Sequence, residues 1–221
     1  MRVFRLAACI VLVLSCMFFC SCAVYDILGI DTHDYVAEVK IADVSEDSDV
    51  YLELLEIIPI MVQSSPYLHE FNTPSKAAEQ YRNGVLCFLL SRNFAKYNAN
   101  VELINETKAE YPTYELTTVI PAVDFEGAVY RYFGGTSSVS NRSTELFTYL
   151  EKVDAYVSVG IGVDNSADID IAEFYETENT YRCTFTCSMN DVTSPSYHLL
   201  LMKREDGTFY IKSLTELKNA A

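Results

Sequence analysis

The stretch "YELTTVIPAVDFEGAVYRYFGG", residues 114–135, holds an ordered run of local signals. Tyr114 to Ile120 alternates as a strand does, and Pro121 ends it. Asp124 is a candidate N-cap. Phe125, Ala128, Val129, Tyr132 and Phe133 then repeat at intervals of three and four, the buried stripe of an amphipathic helix. Gly134-Gly135 supplies the residues that end a helix in a left-handed conformation. Strand, short turn and helix therefore follow one another within 22 residues.

Upstream, the chain reads as helical. "SEDSDVYLELLEIIPIMVQSS", residues 45–65, predicts a helix from about Asp49, capped by Ser48 and kinked or ended by Pro59. "NTPSKAAEQYRNGVLCFLLSRNFAKYNAN", residues 72–100, predicts a longer one. Thr73 caps it, Pro74 suits its first position, and Ala78, Tyr81, Val85, Phe88 and Leu89 form its buried stripe. Gly84 weakens its middle by about 1 kcal/mol and is a point where it can divide.

Downstream, the pattern changes to a period of two. "ELFTYL", "AYVSVGIGV", "DIDIAEFYETE", "TYRCTFTCSM", "SYHLLLMKRE" and "TFYIKSLTEL" are strand-like and regularly spaced between residues 145 and 217. Asn179-Thr180 and Asp206-Gly207 are turn dipeptides between them. Helices first and a meander afterwards predict an α+β fold, with the helices packed on a mainly antiparallel sheet. The order is reminiscent of cystatin-like or NTF2-like layouts, an analogy of topology that carries no function.

The start of the chain has a different character. Arg2 and Arg5 precede a nearly unbroken apolar run from Leu6 to Phe19, and Asp26 follows soon after. A short basic segment before such a run is the pattern of a secretory signal, and the run is short of the ~20 residues of a membrane span. Ser21 before Cys22 places a small residue at a cleavage point. The segment Phe19-Cys20-Ser21-Cys22 resembles a bacterial lipoprotein signal, although Phe19 and Cys20 depart from the favoured types. The resemblance implies a thioether-linked diacylglycerol on Cys22, with two or more chains giving stable attachment at ~0.8 kcal/mol per buried methylene. Cys16 is the second candidate, and a plain signal peptide or uncleaved anchor is the third reading. The expected organisation is residues 1–21 signal, 22–44 tether, 45–135 helical and 136–221 β-rich, the last two as one domain. Within the tether, Tyr35 to Ile41 has the pattern of an edge strand.

The chain carries 16 Lys+Arg against 31 Asp+Glu, a net charge of −15, and loss of Arg2 and Arg5 with the signal deepens it by two. Such a surface repels nucleic acid and anionic headgroups. The expected partners are the membrane, through the N-terminal lipid, and an envelope protein or small ligand. No cofactor is expected.

The signal, the mid-chain helices, "IPAVDFEGAVYRYFGG" (residues 120–135) and "NRSTELFTYLEKVDAYVSV" (141–159) together resemble uncharacterised cell-surface lipoproteins of anaerobic Gram-positive bacteria. The resemblance spans about residues 45–215, and its distinctive part is the "IPA…YFG" helix. It implies a lipid-anchored domain outside the cytoplasm and transfers no functional residue. A fainter likeness of layout is to secreted inhibitors of cell-wall endopeptidases.

Catalytic motifs are sparse. His33, His69 and His198 stand far apart, and the sequence contains no H-E-x-x-H and no G-x-S-x-G. No catalytic residue is assigned, and a non-enzymatic binding or envelope-support role is the leading expectation. An inhibitor of cell-wall hydrolases and a hydrolase with a non-local site are the alternatives. Asp164, Ser166, Asp168 and Asp170 occupy the odd positions of a calcium loop. Ile169 stands where the turn needs Gly, and Tyr175 where the bidentate Glu belongs, so an acidic solvent face of a strand is the simpler reading. Cys87, Cys183 and Cys187 are expected as buried thiols. Cys183 and Cys187 share a strand face about 13 Å apart, too far to bridge, while Cys87 pairing with either stays open.

Overall fold

The computed structural model describes residues 39–62, 66–114, 116, 118–135, 139–158 and 167–218. Lys40–Ala221 forms one compact unit. Cys22 and the signal segment lie outside the described residues.

Four helices precede the strand–helix unit, the fourth of them where the sequence showed no pattern. Helix α1 (Asp49–Met61) begins as expected, with the Ser48 Oγ accepting from the Tyr51 N–H at 3.3 Å. Pro59 sits inside it, and the helix continues two residues further. The helix expected from residue 74 is two helices, α2 (Pro74–Gln80) and α3 (Arg82–Ala99). The break falls at Tyr81 rather than at Gly84. The Tyr81 hydroxyl accepts from the His69 N–H and donates to the His69 carbonyl, and its ring stacks on Phe133. Burying that side chain turns the backbone out of the helix. Helix α4 (Val101–Glu110) starts at Asn100, whose side chain caps the Leu103 N–H at 3.2 Å.

Of the strand expected at 114–120, Val119 and Ile120 stand in β2 (Val119–Pro121), while Tyr114, Leu116 and Thr118 are outside any strand; residues 115 and 117 lie outside the described residues. Helix α5 (Ala122–Phe133) starts one residue after Ile120-Pro121, so Pro121, not Asp124, is its N-cap. Asp124 lies in the first turn and pairs with Lys96. At the other end Gly134 has φ 68° and ψ −171°, a region that only glycine occupies readily. A Cβ there would stand 2.6 Å from the Tyr210 ring. The Arg204 Nη2 donates to the Tyr130 and Arg131 carbonyls, satisfying the end of α5.

The strands form two antiparallel sheets. The larger runs β1 (Ala42–Asp43), β5 (Asp168–Glu176), β6 (Thr180–Met189), β8 (Tyr197–Lys203) and β9 (Phe209–Glu216), with β7 (Val192–Thr193) pairing β6. The smaller has the order β2, β4 (Ala155–Ser158), β3 (Phe147–Leu150). The fold is α+β, and the C-terminal strands are a meander. Of the edge strand expected at 35–41, residues 35–38 lie outside the described residues; the edge strand described is β1, where Ala42 faces Glu176.

Alternation fixes the faces of the large sheet. Cys183, Phe185 and Cys187 are buried, and their partners across β5 are Phe174, Ile171 and Ile169. A bulge at Ala172 shifts the phase between Ile171 and Phe174, which keeps both on the inner face. Helices α1, α2, α3 and α5 cover this face in one core. In β4, Ala155, Tyr156 and Val157 are all buried. Tyr156 belongs to the main core, whereas Ala155 and Val157 pack with Ile104 of α4 in a second one. A strand covered on both faces loses the polar alternation of a half-exposed one.

No disulfide joins the three described cysteines; Cys183 and Cys187 are buried and Cys87 is partly buried. Burial pushes the Cys183 and Cys187 thiols up to about 12.

Candidate ligand groove between α3 and α5

Where α3 passes α5, an open groove of about 500 Å³ lies between them. Its position follows from the two helix surfaces. On α5, Gly127 leaves open space, with no atom within 4 Å of where its Cβ would be. Ala128 is also small, and Val123 at the mouth is 66 % exposed. On α3 the helix is interrupted at Asn93, whose φ is −123° and ψ 23°. Its Nδ2 donates to the Leu89 carbonyl at 3.2 Å, taking up a backbone acceptor at the interruption. Phe88 and Tyr132 form an aromatic wall, with ring centroids 5.4 Å apart in an edge-to-face pair.

Ion pairs frame the groove. Arg92 meets Glu56 at 3.0 Å, Lys96 meets Asp124 at 2.6 Å, and Arg131 meets Glu53 at 2.6 Å. Most of these side chains are half exposed, so each pair contributes only ~0.2–1 kcal/mol and can exchange for a ligand. Beneath them lies Tyr97, 1 % exposed, with the Lys96 ammonium 5.2 Å from its ring centre. Its hydroxyl is buried and makes no hydrogen bond of ordinary geometry among the described residues, although the Asp124 carboxylate is close enough to interact with it. Burial raises the Tyr97 pKa, and the neighbouring Asp124 carboxylate raises it further. Asp124 itself is committed to Lys96. Tyr97 is therefore a neutral phenol, able to donate or accept one hydrogen bond and unsuited to act as a base.

The groove offers both signs of charge, an aromatic wall and one unused polar group. It collects neither His69 nor His198: His69 is exposed in the segment before α2, and His198 lies on β8 facing Thr184 and Thr215. The two acids lining it, Glu56 and Asp124, are each engaged by a cation. His33 lies outside the described residues.

Of the calcium-loop candidates, Asp168 and Asp170 are exposed on β5, opposite Ser188 and Thr186. Asp164 and Ser166 lie outside the described residues. Among the described residues no group of three His, Cys, Asp or Glu is placed to hold a metal ion.

None of the groove residues was singled out from sequence as a site. The available signal was a pairing of faces: Arg92 and Lys96 are four apart on α3, and Asp124 and Arg131 seven apart on α5. Recognising it requires knowing that these two helices are neighbours. Comparison with known proteins finds no matching family model, no matching curated protein and no matching solved structure.

Proposed function

We propose that this chain is a membrane-anchored extracytoplasmic lipoprotein whose folded part is a non-enzymatic binding domain, with its ligand in the groove between α3 and α5. The observation that carries the binding role is the open groove above a buried Tyr97 hydroxyl that makes no well-formed hydrogen bond among the described residues, its polar neighbour Asp124 being held by Lys96. A buried polar group without a partner costs ~1–3 kcal/mol, which a ligand supplying the missing hydrogen bond recovers. The mixed rim and the Phe88–Tyr132 wall favour a polar ligand with one apolar face. The anchor rests on Arg2, Arg5, the apolar run and Ser21-Cys22.

Two measurements test these parts separately. A photo-crosslinking residue at Val123, in the groove mouth, should capture an envelope component that the same residue at Val192 on β7 does not. Gly127→Trp, which fills the groove, should abolish that adduct. Equal capture at both positions, or capture insensitive to Gly127→Trp, refutes the groove. For the anchor, Cys22→Ala should remove incorporation of a fatty-acid probe and leave an unprocessed precursor. Full labelling of that variant refutes Cys22 and turns attention to Cys16.

A further inference from the structure

Arg82, the first residue of α3, is 3 % exposed and is the only buried charged side chain among the described residues. Arginine is almost never buried without a counter-charge. Seven ion pairs form among the described residues, and Arg82 belongs to none of them. Its Nη1 donates to the Tyr156 hydroxyl at 2.9 Å, and its Nη2 donates to the Ser140 carbonyl at 2.7 Å. The guanidinium stands 5.0 Å from the centre of the Phe125 ring. Its Nε is buried and has no hydrogen-bond partner among the described residues. These contacts are all neutral, and two hydrogen bonds leave part of a five-donor group unused.

Arg82 also lines a second, smaller cavity of about 200 Å³, together with Ser75, Glu79, Val139, Ser140 and Arg142. Arg142 reaches it from the other side and is held to Glu79 at 2.6 Å, in a pair with both partners more than half exposed. Such a pair is worth little and rearranges easily. The charged side chains lining this cavity are two arginines and one glutamate, a local excess of positive charge on a chain whose net charge is −15.

We propose that this cavity is an oxyanion site, in which a carboxylate or phosphate group sits between Arg82 and Arg142. Arg82 supplies a fork held in place by Tyr156 and Ser140, and Arg142 exchanges Glu79 for the incoming anion. The planar donor geometry of arginine matches both oxyanions, and a hydrogen bond to a charged group is about twice as strong as a neutral one.

The test uses the full chain in detergent, titrated calorimetrically with sodium acetate and, separately, with sodium phosphate. Sodium chloride holds the ionic strength constant. At least one oxyanion should bind saturably at one per chain, and whichever binds tighter identifies the group recognised. Arg142→Ala should weaken that binding about tenfold, the size of one lost charged hydrogen bond. Glu79→Gln should tighten it, because it removes the competing carboxylate. Both substitutions are at exposed positions, and circular dichroism checks that the fold is kept. If neither oxyanion binds above the chloride background, Arg82 is a structural cation and the site does not exist. Binding that is indifferent to both substitutions also overturns the proposal.

Discussion

Gly84 lies against the Ile60 carbonyl so closely that a Cβ on Gly84 would stand 1.7 Å from that oxygen. The contact joins the end of α1 to the first turn of α3. The Ile60 carbonyl is among the last of its helix, where acceptors have no intrahelical donor. The hydrogen that occupies the Cβ direction of Gly84 points at it, forming a Cα–H···O contact of a kind seen between close helices. Gly84→Ala adds a carbon where backbone already stands, and neither partner is a flexible side chain. Overpacking costs ~1–3 kcal/mol or more, against ~1 kcal/mol that alanine returns in helix propensity. Because the clash is with backbone, the cost belongs at the upper end of that range, and a net loss of ~2 kcal/mol in urea denaturation is expected; an unchanged midpoint would show that α1 and α3 do not cross here.

Gly127 is the opposite case. It is inside α5, and nothing lies within 4 Å of its missing Cβ. Gly127→Ala should stabilise the protein by ~0.5–1 kcal/mol through helix propensity alone. It should also narrow the groove. A variant that is more stable yet gives a weaker Val123 crosslink would separate the helix's own requirement from the groove's, and a destabilised variant would contradict the open space seen beside Gly127.

Much of the fold was legible because the deciding signals are local. Ser48, Thr73 and Pro74 act as read, and "TYRCTFTCSM" is β6 from its first residue to its last. The misreadings have non-local causes. Tyr81 breaks the long helix because its hydroxyl binds His69, twelve residues earlier. The strands β3 and β4 leave the expected meander because β2, from the other side of α5, pairs with β4. Helix α4 was missed because its two buried residues, Ile104 and Thr107, make a stripe too narrow to register as a period. The groove was illegible because its charges are on three helices, α1, α3 and α5, whose adjacency no local pattern states.

Cys183 and Cys187 make stability depend on alkaline pH. Burial raises both folded-state thiols from about 9 to about 12. A group with a raised folded pKa contributes stability that is fully present below its unfolded pKa and is lost as pH rises toward the folded value. The loss therefore begins near pH 9. At pH 10, one unit above the unfolded value, each thiol accounts for about 1 kcal/mol. Cys183→Ala should lower stability at pH 7, from the lost packing, and should also lose about 1 kcal/mol less than wild type between pH 7 and pH 10 in chemical denaturation. In native protein at pH 8 both thiols should resist alkylation until denaturant is added. Rapid labelling of either without unfolding would mean that the inner face of β6 is open to solvent.

Tyr81 and Tyr97 allow one substitution to be compared in two settings. Each is 1 % exposed. The Tyr81 hydroxyl accepts from the His69 N–H at 2.9 Å and donates to the His69 carbonyl, closing a link between α2 and the segment before it. The Tyr97 hydroxyl makes no hydrogen bond of ordinary geometry among the described residues and has only the Lys96-bound Asp124 carboxylate beside it. Tyr81→Phe removes two hydrogen bonds and leaves a partly buried N–H and C=O unpaired, at an expected cost of ~2 kcal/mol. Tyr97→Phe removes only a buried group that was already unsatisfied, so stability should stay level or rise by up to ~1 kcal/mol. Both variants keep the ring, so packing is common to the two and their difference reports the hydroxyls. Urea denaturation of the ligand-free protein measures it directly. In the crosslinking experiment the order should reverse: Tyr97→Phe should reduce capture at Val123, and Tyr81→Phe, remote from the groove lining, should leave capture intact while the protein remains folded. If Tyr97→Phe costs as much stability as Tyr81→Phe, the Tyr97 hydroxyl is satisfied within the folded chain, and the groove loses the unpartnered group that argues for a ligand.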